Sequence, residues 1–235
     1  MGIQVHLIAH TPYPDRTVAA AAKLCYSSSS IADIMDNIEP EHMRHFISHL
    51  LRSGHMSPFE HASFTFGIDG ISRVCSHQLV RHRMASYSQQ SQRYVSMDKP
   101  QFVTPLTLTE DKDLQKSFQD HCVAAHELYL HLVESGIPKE DARYLLPHGW
   151  RTRITVSMNA RELHHFFRLR LCRRAQWEIQ DLARRMLLAI KDVAPILFAS
   201  AGPDCVVKGK CEEMRSCGRP FESFEDLINE PLLNF

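Results

Sequence analysis

RHRMASYSQQSQRY, residues Arg81 to Tyr94, places three arginines, a histidine, three serines and three glutamines in fourteen positions without an acid or a lysine. Guanidinium is planar, permanently charged and forked, so it grips phosphate or carboxylate through paired hydrogen bonds. The stretch therefore reads as an anion-binding site. The same preference runs through the chain, which has 19 arginines and 8 lysines, with no lysine between Lys23 and Lys99 or between Arg143 and Arg185. Oriented recognition of an anion explains such segments; plain compositional bias is the alternative.

Patterns on either side place this stretch in a fold. Ser72 is a candidate cap for a helix reaching about Arg83, so the arginine-rich segment starts at a helix end and continues as a polar loop. On that helix Gln78 and His82 project with Ile71, Val74 and Cys75, interrupting an apolar stripe with polar groups. Before it, Phe64, Phe66 and Ile68 alternate with Ser63, Thr65, Gly67 and Asp69, the period of a half-buried strand. Gly2 to Ala9 suggests a first strand, Asp15 to Tyr26 an alanine-rich helix, and Ser27 to Ser30 a loop. Pro40 to Arg52 reads as a helix with Met43, Phe46, Ile47, Leu50 and Leu51 inward and Gly54 as its stop.

Downstream, a long helix from about Glu110 to Glu134 carries Leu114, Phe118, Cys122, Ala125, Leu128 and Leu132 on one stripe. Pro138 opens a short helix to Leu146, and Thr152 to Met158 alternates as a strand. Asn159 followed by Glu162 has capping-box spacing for a helix through Arg170, and a further helix spans about Gln176 to Phe198. The expected architecture is α+β, helix-rich with a small sheet, in one domain over 1–235 whose last part, 203–235, is irregular.

Arg170 falls on the same face as Leu163, Phe166 and Phe167, where an unpartnered cation costs several kcal/mol, on the order of a buried ion's desolvation. It must snorkel, pair internally or meet a ligand. Arg161, His165 and Arg168 occupy the opposite face, either as solvated surface or as a second ligand contact.

Other chemistries lack their signatures. There is no Gly-x-Gly-x-x-Gly, Walker loop, Gly-x-Ser-x-Gly elbow or His-Glu-x-x-His pair. His42, His45 and His49 lie opposite the apolar stripe of their helix and read as solvated. Cys205, Cys211 and Cys217 recur too widely for paired zinc ligands, so free thiols come first and no metal is expected. Seven cysteines without a secretory signal, and no long apolar run, point to a cytoplasmic chain without a membrane span. A net charge of zero weighs against a nucleic-acid module using Arg81, Arg83, Arg93 and Arg151 beside Tyr87 and Tyr94, which remains the rival reading.

The spacing Arg81, His82, Arg83, Ser86, Ser91, Arg93 resembles the signature of the flavin-dependent thymidylate synthases. His55-Met56-Ser57-Pro58-Phe59-Glu60-His61, the helix from Asn159-Ala160-Arg161 to Arg170, and Ala175-Gln176-Trp177-Glu178-Ile179 resemble further blocks of that family, in its order. The resemblance implies methylation of dUMP to dTMP, with methylenetetrahydrofolate as carbon donor and NADPH as reductant through FAD, releasing tetrahydrofolate. It assigns FAD to Arg81, His82, Arg83, Gln89, Ser57, Asn159, Arg161 and His165, with His55 and Glu60 on the flavin and folate side. It assigns dUMP to Gln78, Arg81, Gln89, Gln90, Ser91, Gln92, Arg93, Arg143 and Arg170, with Arg170 activating the pyrimidine. It also implies a homotetramer and a chemical step that needs none of the cysteines. Gln89, Cys25 and His165 stand where some members carry Glu, Ser and Asn.

Overall fold

A computed structural model of the chain describes residues 2–231. The elements run β1 (Gln4–His10), α1 (Pro14–Leu24), α2 (Ile31–Asn37), α3 (Pro40–Ser53), β2 (Ser63–Ser72), α4 (Arg73–Leu79), β3 (Ala85–Gln89) and α5 (Lys112–Glu134). They continue with α6 (Lys139–Ala142), β4 (Arg151–Asn159), α7 (Ala160–Arg170), α8 (Trp177–Lys191), α9 (Asp204–Val207) and α10 (Phe224–Asn229). Helices dominate, and the four strands form one sheet in the order β1-β2-β4-β3. The β2 and β4 partners run antiparallel, since Arg73 N–H donates to Trp150 O at one end and Ala160 N–H to Ala62 O at the other. None of the described helices is long and apolar enough to cross a membrane.

The chain forms two compact units from interleaved segments. The first takes residues up to Gln4, Ile68–Arg81 and Ser88–Thr155; the second takes Val5–Gly67, His82–Tyr87 and the chain from Val156 onward. Within the first, Met97, Tyr129, Ala142, Leu146 and Trp150 pack together. His126 is buried beside them, its ring 5.3 Å from that of Trp150 and its Nε2 bonded to Met97 O at 2.6 Å. Within the second, a cluster of phenylalanines sits in a largely aliphatic core. Phe198 meets Phe64 edge-on at 5.4 Å and Phe167 at 5.9 Å, and α7 packs along α8.

The alternation expected of Phe64, Phe66 and Ile68 holds, all three being buried on β2. Other boundaries differ. The helix after Ser72 ends at Leu79, four residues earlier than its apolar spacing implies, where Val80 and Arg81 close a tight turn with N–H bonds to Ser76 O and Gln78 O. His82 is thus not on that helix with Gln78. The expected polar loop contains β3, in which Ala85, Tyr87 and Gln89 are half-buried while Ser86 and Ser88 are exposed. Serine and glutamine there disguise a period-two pattern, and pairing with β4 decides the conformation.

Three further differences have local causes. Helix α2 follows the serine run because Ser30 Oγ accepts from Asp33 N–H and donates to its carboxylate. On α5 the buried face is Cys122, His126 and Tyr129, while Leu114 and Leu128 are 57% and 47% exposed. The helix expected to reach Phe198 stops at Lys191, and the following turns are held by Asp15, whose carboxylate accepts from Ile196 N–H and Leu197 N–H at 3.1 and 2.9 Å.

Candidate active site

In the second unit, β4 delivers Asn159 to the start of α7, where its Oδ1 accepts from Glu162 N–H at 2.9 Å. That is half of a capping box. The Glu162 carboxylate does not return to the helix start; its Oε1 meets His82 Nδ1 at 3.1 Å, with both side chains almost fully buried. On the other edge of the same ring, Arg170 Nε donates to His82 Nε2 at 3.0 Å. An arginine N–H can only donate, so Nε2 carries the lone pair and Nδ1 carries the hydrogen. His82 is the neutral Nδ1–H tautomer.

The surroundings enforce that state. Burial, then the charge of Arg170, then His165, pull the imidazole down to about 4. Burial pushes the Glu162 carboxyl above its usual range. Phe166 meets the imidazole edge-on at 4.9 Å, and Tyr87 hydroxyl donates to His82 O at 2.7 Å. The apolar face expected of α7 is present, Leu163, Phe166 and Phe167 being fully buried. Arg170 ends that face by pairing internally rather than by snorkelling alone.

A cleft of about 700 Å³ opens beside this network, lined among others by Glu60, Asn159, Arg161, His165, Arg168 and Lys208. A second, of about 420 Å³, is lined by Cys25, His55, Ser57 and again Arg161. Arg161 pairs with Glu60, and Arg168 with Asp204. These cationic and amide donors, in a cleft also lined by apolar residues such as Leu51, Met56 and Met84, fit a flavin dinucleotide, which needs partners for two phosphates and an apolar wall. Ligand atoms of His82, Glu162 and His165 lie within 4.8 Å of one another, the geometry of a cation site. The Arg170 guanidinium on His82 opposes a cation there, and the hydrogen bonds already account for the arrangement.

The first unit holds most of the residues expected to bind substrate. Arg143 lines a cleft of about 450 Å³ with Arg73, His77, Gln92, Tyr144 and His148. Burial, then Arg143, lower the Arg73 guanidinium below its usual value, so two like charges share this wall. Arg73 is absent from the expectations; its sole signal is its place directly after the Ser72 cap in a lysine-free segment. Arg93 pairs with Glu140 and lies over the Tyr94 ring, while Arg143 Nε donates to Glu140 O. Ser91 Oγ accepts from Arg93 N–H at 3.2 Å. Gln89 spends its amide nitrogen on Ser76 Oγ and Thr152 Oγ1, at 2.9 and 3.2 Å. Gln90 lines a different cleft, of about 490 Å³, beside Arg151 and Arg153. Gln78 is half-buried on α4, Arg81 is exposed in the first unit and Arg83 in the second. His42, His45 and His49 are exposed, and no disulfide links cysteines among the described residues.

Comparison with known proteins bears on this geometry. The family described as thymidylate synthase complementing protein matches residues 6–196. A flavin-dependent thymidylate synthase of Geobacter sulfurreducens is 48% identical over 223 residues, covering 94% of this chain and 96% of that protein. One of Clostridium tetani is 43% identical, with coverage of 94% and 96%. Among solved structures, a UMP/dUMP methylase of Streptomyces cacaoi bound with 5-Br dUMP superposes with a TM-score of 0.76 at 27% identity, covering 84% of this chain and 93% of that one.

Proposed function

The chain belongs to the flavin-dependent thymidylate synthase family, and from that premise we propose that it reductively methylates dUMP to dTMP. The carbon donor is methylenetetrahydrofolate, the reductant is NADPH acting through FAD, and tetrahydrofolate is released. When bound, the reduced flavin supplies the reducing equivalents that convert a methylene into a methyl group. Arg161, Arg168, Asn159, His165 and Ser57, which line clefts of the second unit, would hold it, with Arg83 of the same unit as a further contact and His55 and Glu60 on the folate side.

The observation that carries the reading is Arg170, a guanidinium at the end of a buried apolar face, fixed by a neutral histidine. Set against a uracil carbonyl, it stabilises negative charge that develops on the ring and so raises the nucleophilicity of C5. Within the first unit, the cleft of Arg73, Arg143 and Gln92 suits a nucleotide phosphate, and Gln78, Gln90, Ser91 and Arg93 of the same unit are further proposed substrate contacts. A cytoplasmic homotetramer accords with the family's habit of building each site from several subunits. The exposed Leu114 and Leu128 on α5 are apolar positions such an assembly would cover.

The purified protein should carry, or take up, FAD with a visible absorbance that NADPH bleaches under anaerobic conditions, and added dUMP should perturb the spectrum. Folded protein that neither binds FAD nor responds to dUMP would overturn the proposal.

A further inference from the structure

Glu162, His82 and Arg170 are linked by two consecutive hydrogen bonds through one imidazole, at 3.1 and 3.0 Å, joining the first turn of α7 to its last. The three side chains differ in what they can offer. An ionised carboxylate only accepts, an arginine N–H only donates, and a neutral imidazole does one of each, on opposite edges. The arrangement is therefore directional: Glu162 can accept only if Nδ1 carries the hydrogen, and that leaves Nε2 to accept from Arg170. Reversing the tautomer would set donor against donor at Arg170.

We propose that Glu162 is a positioning residue for the reaction, fixing the tautomer of His82 so that Nε2 anchors the Arg170 guanidinium in one orientation. The inference rests on the reading of Arg170 as the group that activates the pyrimidine. Three features argue for positioning over simple packing. Glu162 and His82 are the buried polar members of an otherwise aromatic wall of Phe166 and Tyr87, where two hydrophobic residues would pack at lower cost. The spacing of Glu162 from Asn159 suits a capping box, yet its carboxylate serves the histidine instead. Anchoring through Nε pins the guanidinium plane near its root, so small rotations there translate into large displacements of the charge. A misplacement on the order of 1 Å at a reacting centre costs about 100-fold in rate.

The groups facing this network come from α7 and from the segment that runs from His82 into β3. His82 itself precedes β3, whose Tyr87 hydroxyl is bonded to His82 O, and α7 adds His165, whose ring lies 5.8 Å from His82, together with Arg168. None of them replaces Glu162 as the acceptor of Nδ1–H in the described hydrogen bonds.

The decisive experiment pairs kinetics with nitrogen-15 spectra of histidine-labelled protein. In flavin-loaded Glu162→Gln, whose amide can present either oxygen or nitrogen to the ring, kcat should fall roughly 10- to 100-fold with the dUMP KM changed by no more than about threefold. Wild-type His82 should appear at neutral pH as the neutral Nδ1–H tautomer, and the variant should lose that pure signature. A flavin-loaded Glu162→Gln with kcat within about twofold of wild type, or a wild-type His82 that is imidazolium or Nε2–H, overturns the proposal. If Glu162→Gln does not fold, the wild-type spectrum still decides. If the wild-type protein makes no dTMP, the reading of the reaction fails separately, and the spectrum still reports whether Glu162 sets the tautomer.

Discussion

Arg170 lies one turn beyond Phe166 on α7, where the apolar face of the helix meets the buried ring of His82. Replacing it with alanine removes the one permanent charge on that face. Turnover should drop by about 100-fold or more while flavin stays bound, as for loss of a group that stabilises developing charge. Steady-state rates on flavin-loaded Arg170→Ala check this, and near-normal turnover would remove the residue from the mechanism. In the other unit, Arg73→Ala and Arg143→Ala should each weaken dUMP binding by roughly tenfold or more, as expected for a charge-assisted contact of about 1.5–3 kcal/mol. The same variants should leave deoxyuridine binding almost unchanged, which calorimetric titration of both ligands would show. Equal losses for both ligands would move the phosphate elsewhere. Arg170 was legible in the sequence because three and four residues back along a helix lie on its own face, which local spacing records. Its partners were not, since His82 is 88 residues away and Glu162 pointed by spacing to Asn159.

Element boundaries follow local chemistry where caps and alternation act alone and depart from it where a tertiary partner intervenes. Ser72 caps α4 with its Oγ on Cys75 N–H, as its position predicts, and β2 and β4 keep the period of two. The existence of β3 depends on pairing with β4, which no short window contains. Asp15 is a clearer case, bonded across 181 and 182 residues to two backbone N–H groups beyond α8. Asp15→Ala should cost about 1–3 kcal/mol by leaving those donors unsatisfied, and Asp15→Asn less, as read from urea unfolding. Equal stability of Asp15→Ala and wild type would show that water replaces the carboxylate.

His164 on α7 gives a pH prediction. Its ring stacks on Phe198 at 5.2 Å and meets Phe59 edge-on, and burial pulls it down to about 4, as it does His82. Between the ordinary histidine value of 6.5 and about 4, the unfolded chain binds protons that the folded chain does not. Stability therefore falls as pH drops through that window. Asp15 and Glu162, raised by burial, act in the opposite sense just above the ordinary carboxylate range. His164→Phe should show a smaller loss of Tm than wild type on acidification from pH 6.5 toward 4, and parallel profiles would refute the assignment.

For the whole molecule, a net charge of zero is reproduced locally: Arg93, Arg153, Arg161 and Arg168 each face a carboxylate, in Glu140, Asp69, Glu60 and Asp204. Such pairing suits sites that select a small anion against a protein acid, and it suits the nucleic-acid reading poorly. The helix-rich α+β class was legible from periodicity. The division into two interleaved units was not, because all four strands pass from one unit to the other, each within a single uninterrupted strand.

The central claim is tested most directly by anaerobic incubation of the FAD-reconstituted protein with dUMP, methylenetetrahydrofolate and NADPH, each omitted in turn, with mass spectrometry of the nucleotide. The account predicts dTMP in the complete mixture and none when dUMP, the folate, NADPH or FAD is left out; no dTMP from folded, flavin-loaded protein in the complete mixture would contradict it.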